Sequence, residues 1–162
     1  MGIHDALVLG LDPGRDKIGF AAVRGDKSLL FSGILPPQEV AVWAGALGPE
    51  GRLEEFLSPW LKEGRTSVIG GQRPSLVVVG NGTHSAPLME TVRRCARCEV
   101  ICVDERGTTL EARGLYWCLH RPSWWQRFLP QSVRVPPRPL DDLAAWAIAG
   151  RGIDICPSLL GM

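Results

Sequence analysis

Leu76-Val77-Val78-Val79 is an unbroken apolar run in which three of four residues are valine. Half-buried strands alternate apolar and polar residues, so a continuous run marks a strand covered on both faces, inside a sheet flanked by helices. Val100 to Val103 has the same character. Upstream, Ala6 to Leu11, Lys17 to Val23 and Ser28 to Leu35 read as three strands joined by tight connections at Asp12-Pro13-Gly14 and Gly25-Asp26, an antiparallel meander. Pro36-Pro37 ends it.

Helices fill the gaps between these strands. Glu39 to Lys62 has helical character, but Gly45, Gly48, Pro49, Gly51 and Pro59 divide it into two short helices. Gly64 to Pro74 reads as a loop. Ser85 is placed to cap a helix running to about Arg97, with Pro87 in its first turn and Leu88, Val92, Cys95 and Ala96 as its apolar stripe. Another helix starts near Thr109, where Thr108 and Glu111 have capping-box spacing. A last helix begins near Leu140 and buries Leu143, Ala144, Ala147 and Ile148. The order, a meander followed by alternating helices and strands, predicts an α/β fold with a mixed five-stranded sheet flanked by helices. A length of 162 residues fits one domain spanning 1–162.

Composition narrows the class. With 45% hydrophobic and 22% charged residues, the chain is neither disordered nor membrane-embedded. No apolar run reaches the roughly 18 residues that span a bilayer, and the N-terminus lacks a signal-peptide layout. Five cysteines without an export signal indicate a reducing, cytoplasmic setting and no disulfide framework. Cys95-x-x-Cys98 has no second pair, and Cys95 falls on an apolar helix face, which favours a core role. Net charge is only +1, but Arg121, Arg127, Arg134 and Arg138 lie in a stretch with no acid, and Arg93, Arg94 and Arg97 form a second cluster. Such patches suit an anionic polymer, and equally a solvated surface.

The informative acids stand where segments end. Asp12 follows the first strand, Asp104 and Glu105 follow the Val100–Val103 strand, and Asp141-Asp142 opens the last helix. In α/β sheets, sites collect at the carboxyl ends of strands. Carboxylates drawn together from separate segments repel unless a cation joins them, and an oxygen-only set suits Mg²⁺ or Mn²⁺. Each acid also has an ordinary reading. Asp12 before Pro-Gly is a turn former, Asp141 an N-cap, Asp142 a first-turn acid, and Asp104 and Glu105 partners for Arg106.

Four blocks add a family resemblance. Leu9-Gly10-Leu11-Asp12-Pro13-Gly14-Arg15-Asp16-Lys17-Ile18-Gly19-Phe20-Ala21 resembles the opening of the YqgF/RuvX family, relatives of the RuvC Holliday junction resolvase. Val79-Gly80-Asn81-Gly82-Thr83, Val103-Asp104-Glu105-Arg106-Gly107-Thr108-Thr109-Leu110-Glu111-Ala112-Arg113 and Leu140-Asp141-Asp142-Leu143-Ala144-Ala145 follow in the right order. The Trp-containing stretch and Pro136-Pro137-Arg138-Pro139 look most like the cyanobacterial form.

The resemblance implies an RNase H-like, RuvC-like fold and a metal-dependent endonuclease for structured nucleic acid, acting in pre-16S rRNA processing or Holliday junction resolution. Asp12, Glu105 and Asp141 would be the catalytic acids and, with Asp142, the ligands for Mg²⁺ or Mn²⁺. Adjacent helical residues point about 100° apart, so Asp141 and Asp142 cannot serve one metal pair equally, and Asp141 is favoured. RuvC carries an acid on its fourth strand, whereas here that strand ends in Gly80-Asn81-Gly82, so Glu105 would take the role. Arg106, Arg113, Asn81, Arg134 and Arg138 are the candidates for nucleic-acid contact, with ion pairing of Arg113 to Glu111 or Asp104 as its structural alternative. Trp124 and Trp125 either anchor a long loop on the core, the commoner use, or stack on unpaired bases. His4, His84 and His120 have no partner pattern, although His84 lies near the presumed cleft. The expected partner is an rRNA precursor or branched DNA, with no membrane, and a homodimer is left open because resolvases act as dimers. The competing expectation is a non-catalytic, nucleic-acid-binding ribosome-assembly factor.

Overall fold

The computed structural model describes residues 5–160, so His4 lies outside the described residues. Strands β1 (Leu7–Pro13), β2 (Ile18–Arg24) and β3 (Leu29–Leu35) form the meander, followed by short helices α1 (Val40–Ala46) and α2 (Leu53–Leu57). Strand β4 (Leu61–Gly64) comes next. Then β5 (Leu76–Gly80), α3 (Ser85–Cys95), β6 (Glu99–Val103), α4 (Thr108–Leu119) and α5 (Asp141–Ile155) complete the fold. The sheet order is β4-β3-β2-β1-β5-β6. The β1–β2, β2–β3 and β3–β4 pairs are antiparallel, while β1–β5 and β5–β6 are parallel.

The sheet therefore has six strands, not the five read from the sequence. β4 escaped notice because it is an edge strand of four residues with half-buried Leu61 and Glu63 alternating with exposed Lys62 and Gly64. Backbone pairing to β3 makes it a strand, and its side chains carry no hydrophobic signal. β6 is less covered than its apolar run implied: Glu99 and Cys102 are exposed because it closes the other edge. β1 is longer than expected and includes Asp12, which lies opposite Gly19 of β2. Two expected caps are absent. His84, not Ser85, precedes α3, and Gly107 in the left-handed region precedes α4 with no side-chain cap. Thr108 Oγ1 instead donates to Glu105 O at 2.8 Å.

Alternation along the central strands splits the core. Leu7, Leu9, Leu11, Val77 and Val79 face one layer with Trp43, Leu88 and Val92 from α1 and α3. Val8, Leu76 and Val78 face the other with Ile148, Ala149 and Ile153 of α5. Ala112 and Tyr116 of α4 pack on Leu143 and Ala144 of α5 outside that layer. Buried on both sides, β5 has no polar position, which explains its continuous valines.

α5 lies directly on strand backbone. A Cβ on Gly10 would fall on the carbonyl oxygen of Ala145, and one on Gly19 on that of Asp141. Both glycines are required for this approach. The start of α5 is thereby fixed over β2, beside Asp12. No helix among the described residues is long and apolar enough to cross a membrane.

Candidate active site

The parallel strands β1, β5 and β6 deliver their carboxyl ends to one sheet edge, and the start of α5 meets them there. Asp12 sits in the last part of β1. Its carboxyl is pushed up from 3.8 to about 7, first by burial, then by the charges of Glu105 and Asp141. A turn-forming aspartate would be solvated and would lack this environment. Asp12, Glu105 and Asp141 are thus one electrostatic unit, although they come from distant parts of the chain.

Glu105 is held through its main chain. Its amide donates to Asn81 Oδ1 at 3.1 Å, and its carbonyl accepts from the Thr108 amide at 3.1 Å. The Asn81 amide in turn donates to Val103 O at 2.9 Å, which ties the ends of β5 and β6 together. The side chain turns inward over glycine: a Cβ on Gly82 would lie 2.5 Å from Glu105 Oε1, and one on Gly80 would lie 2.8 Å from Oε2. Glu105 Oε2 is buried without a hydrogen-bond partner. A buried carboxylate oxygen without a partner is costly to maintain and calls for a compensating group.

Asp104 takes the surface role. Its carboxylate accepts from the Arg106 amide at 3.0 Å and lies 3.4 Å from Arg106 Nε. Arg106 itself projects almost fully into solvent. Asp141 is the first residue of α5, with Leu140 rather than Asp141 in the cap position, and its Oδ2 lies 3.8 Å from Lys17 Nζ.

Asp142 is turned away from this group. Its carboxylate is wholly buried, accepts from Ser32 Oγ at 2.7 Å and is gripped by Arg138 Nη1 and Nη2 at 2.8 and 3.2 Å. Arg138 also donates to Glu63 Oε1 at 2.6 Å, and His120 Nε2 lies 2.6 Å from the same oxygen. Burial alone pushes the Glu63 carboxyl up, but the hydrogen bonds from His120 and Arg138 outweigh it and hold it below its ordinary value. His120 thus has a carboxylate partner that its sequence surroundings did not disclose.

The remaining nucleic-acid candidates are divided by their surroundings. Arg134 donates to the carbonyls of Leu129 and Arg127 at 2.9 and 3.0 Å, so it shapes its own loop. Arg113 is half-buried in a hollow of about 260 Å³ with Leu110, Gly114, Gln131 and Ser132. Neither acid of its structural alternative pairs with it: Asp104 meets Arg106, and Glu111 binds Arg151, whose Nη1 also donates to Asp104 O at 2.6 Å. Asn81 serves Glu105, as described. His84 is exposed and lines a hollow of about 370 Å³ with Arg15 and Gln38, next to the β1–β2 turn.

Two contributors were not singled out from the sequence. Lys17 lies beside Asp141, and its signal is a cation in the tight turn just beyond the Asp12 strand. Arg151 links α5 to β6 and α4; its signal is a lone cation in an otherwise small and apolar helical stretch.

The donor set fits a hard cation in kind, since it offers carboxylate oxygens, one of them buried and unpaired. In the conformation described, no group of three or more carboxylate, imidazole or thiol side chains among the described residues is gathered closely enough to hold a metal ion. The set is pre-charged for a cation without being closed around one.

A mixed sheet with this strand order, flanked by helices, defines an RNase H-like fold. Thermus thermophilus RuvC in complex with Holliday junction substrate shares it at a TM-score of 0.51, with 17% identity over 94% of this chain and 96% of that one. A second Thermus thermophilus RuvC structure aligns at a TM-score of 0.48 and 18% identity, over 94% and 97% of the two chains. No family model matches the sequence, and no curated protein matches it.

Proposed function

We propose that this chain is a metal-dependent endonuclease of the YqgF/RuvX type that hydrolyses phosphodiester bonds in structured nucleic acid. The observation that carries this reading is the meeting of Asp12, Glu105 and Asp141 at the carboxyl ends of β1 and β6 and the start of α5, with Glu105 Oε2 buried without a partner and the Asp12 carboxyl raised by burial and by its two neighbours. A buried carboxylate flanked by two others is poised to exchange its proton for a cation. Asp12, Glu105 and Asp141 would hold Mg²⁺ or Mn²⁺. The bound ions would supply a nucleophile at neutral pH and stabilise charge on the leaving oxygen.

The protein's own groups do the rest. Asn81 and Thr108 fix the main chain of Glu105, and Gly80 and Gly82 leave room for its carboxylate. Lys17 sets Asp141. Asp142 supports the site from beneath, through Arg138 and Ser32, rather than as a ligand in this conformation. Arg106, almost fully exposed beside Glu105 and paired only with the surface carboxylate of Asp104, is the best placed of the arginines for a flanking phosphate.

Substrates follow the same chemistry, because the acid site reads phosphate. A branched DNA is supported by the fold shared with a RuvC bound to Holliday junction substrate, and an rRNA precursor by the family resemblance. Resolving a junction requires two cuts, hence two copies of the chain.

Purified protein with Mn²⁺ should nick junction DNA or a structured rRNA fragment, and Asp12→Asn should abolish it. Mn²⁺ should also raise the Tm of the wild type and not of Asp12→Asn. Equal trace cleavage by the two proteins would identify a contaminant and sink the proposal.

A second reading is a nucleic-acid-binding ribosome-assembly factor without catalysis. It is favoured by the open disposition of the acids and by Asn81-Gly82 where RuvC has an acid. Salt-dependent RNA binding that is indifferent to Mn²⁺, with no cleavage, would support it.

A further inference from the structure

Residues 121–139 connect α4 to α5 with only a single 3₁₀ turn, Gln126–Phe128. Three aromatic rings on this loop face solvent: Trp124 is 77% exposed, Trp125 53% and Phe128 81%. The anchoring role expected for the tryptophans is therefore not the one they take. Nor is the loop left slack. His120 before it and Arg138 near its end both bond Glu63 Oε1 on β4 at 2.6 Å. Inside it, Arg134 holds the carbonyls of Arg127 and Leu129, and the Ser123 amide donates to Gln126 Oε1 at 2.9 Å. The rings are presented on a braced backbone.

Charge says what covers them. The segment contains no Asp or Glu. Arg138 is neutralised by Glu63 and Asp142, while Arg121 and Arg127 are exposed and have no ion pair among the described residues. Aromatic faces beside free guanidinium groups complement a polyanion that carries flat apolar rings. Duplex hides its base faces by stacking, so only unpaired nucleotides match both features. The loop is tied to the same end of the fold as the acids: Gln131 and Ser132 share a hollow with Leu110 and Arg113 of α4, and Arg138 holds Asp142, the neighbour of Asp141.

We infer that the 121–139 loop is a docking surface for unpaired nucleotides next to the acid site, with Trp124, Trp125 and Phe128 stacking on bases and Arg121 and Arg127 contacting phosphates. The inference deepens the nuclease proposal and rests on it only in taking nucleic acid as the ligand.

Binding of the full chain, in EDTA to prevent cleavage, is to be measured by fluorescence anisotropy on two DNAs. One is a forked duplex with two oligo(dT) arms, and the other is a blunt duplex of the same paired sequence. The wild type should prefer the fork. Trp124→Ala/Trp125→Ala should weaken fork binding about 10-fold or more, the size of one or two lost base–ring stacks, and change duplex binding less than about twofold. Trp124→Phe/Trp125→Phe should restore most of the loss. Both tryptophans are exposed, so the variants should melt like the wild type.

Equal loss on fork and duplex, no loss on either, or failure of the wild type to bind the fork would each overturn the inference. So would a double variant whose only change is a shift from dimer to monomer in sedimentation, because the rings would then belong to a contact between copies. Asp12→Asn separates the two proposals. Trp-dependent fork binding without Asp12-dependent cleavage leaves this surface standing and removes the nuclease. Asp12-dependent cleavage with Trp-independent binding does the reverse.

Discussion

Arg138 grips the buried carboxylate of Asp142 with two nitrogens, at 2.8 and 3.2 Å, one residue away from Asp141. Three further groups complete this pair: Ser32 on β3, Glu63 on β4 and the Tyr116 ring, 5.7 Å from the guanidinium. The last turn of the 121–139 loop, the start of α5 and the meander edge are fastened at one point.

Breaking that point from one side should be severe. Arg138→Ala leaves a fully buried carboxylate with only the Ser32 hydroxyl, and should cost about 3–5 kcal/mol. Arg138→Leu/Asp142→Leu, which removes both charges and restores volume, should cost less. Urea or thermal melts check the order. A double variant less stable than Arg138→Ala would show that the pair contributes beyond the cost of the stranded charge.

Asp12 makes the metal-free protein sensitive to pH in the opposite sense to an ordinary paired carboxylate. Its folded value, about 7, lies above the ordinary 3.8, so the folded chain binds this proton more tightly than the unfolded chain. That stabilisation is complete below about pH 4 and is lost as the pH rises through 7. In EDTA, Asp12→Asn should therefore gain on the wild type by up to a few kcal/mol between about pH 4 and pH 8. A Tm difference that stays constant over this range would show that Asp12 is not held as described.

Gly82→Ala should separate site from fold. The added Cβ would stand 2.5 Å from Glu105 Oε1, and the flexible carboxylate can yield. Stability should change by less than about 1 kcal/mol, while Mn²⁺-dependent cleavage should fall by at least about 10-fold. Matching losses of stability and activity would place the effect in the fold instead.

Gly19→Ala should do the opposite. Its Cβ would meet the main-chain carbonyl of Asp141, which cannot move without lifting α5 from the sheet. A destabilisation of about 1–3 kcal/mol or more is expected, together with lost activity. Wild-type melting by this variant would contradict the close seating of the helix.

Much of this molecule is legible in its sequence where one rule dominates. The continuous valines of β5 report burial on both faces, and the glycine and proline interruptions do divide the region after Glu39 into two short helices, although Leu61 and Lys62 at its end belong to β4. β4 is not legible, because edge pairing is a matter of backbone hydrogen bonds and Leu61-Lys62-Glu63-Gly64 carries no apolar pattern. The capping readings at Ser85 and Thr108 fail because spacing alone does not fix where a helix begins; Gly107, at φ +81°, sets the entry to α4. At the site, position at segment ends singled out Asp12, Asp104, Glu105, Asp141 and Asp142, and the family resemblance pointed to Asp12, Glu105 and Asp141 among them. The division of labour between Asp104 and Glu105, and between Asp141 and Asp142, depends on which side chain turns inward. That is decided by Asn81, Arg106, Ser32 and Arg138, residues up to 110 positions away in sequence.

At Gly10 and Gly19 the main chain of α5 comes directly onto the strands, with the Ala145 and Asp141 carbonyls where a Cβ would stand. Elsewhere the spacing of layers depends on the volumes of the residues between them, and drifts whenever those residues change. At these two glycines the approach is limited by main-chain carbonyls, atoms that every amino acid carries. Asp141 is thus referenced to the strands around Asp12 by main-chain atoms at Gly19 as well as by the side chains that fill the layer around it, so a glycine with no side chain of its own bears on the separation of two acids.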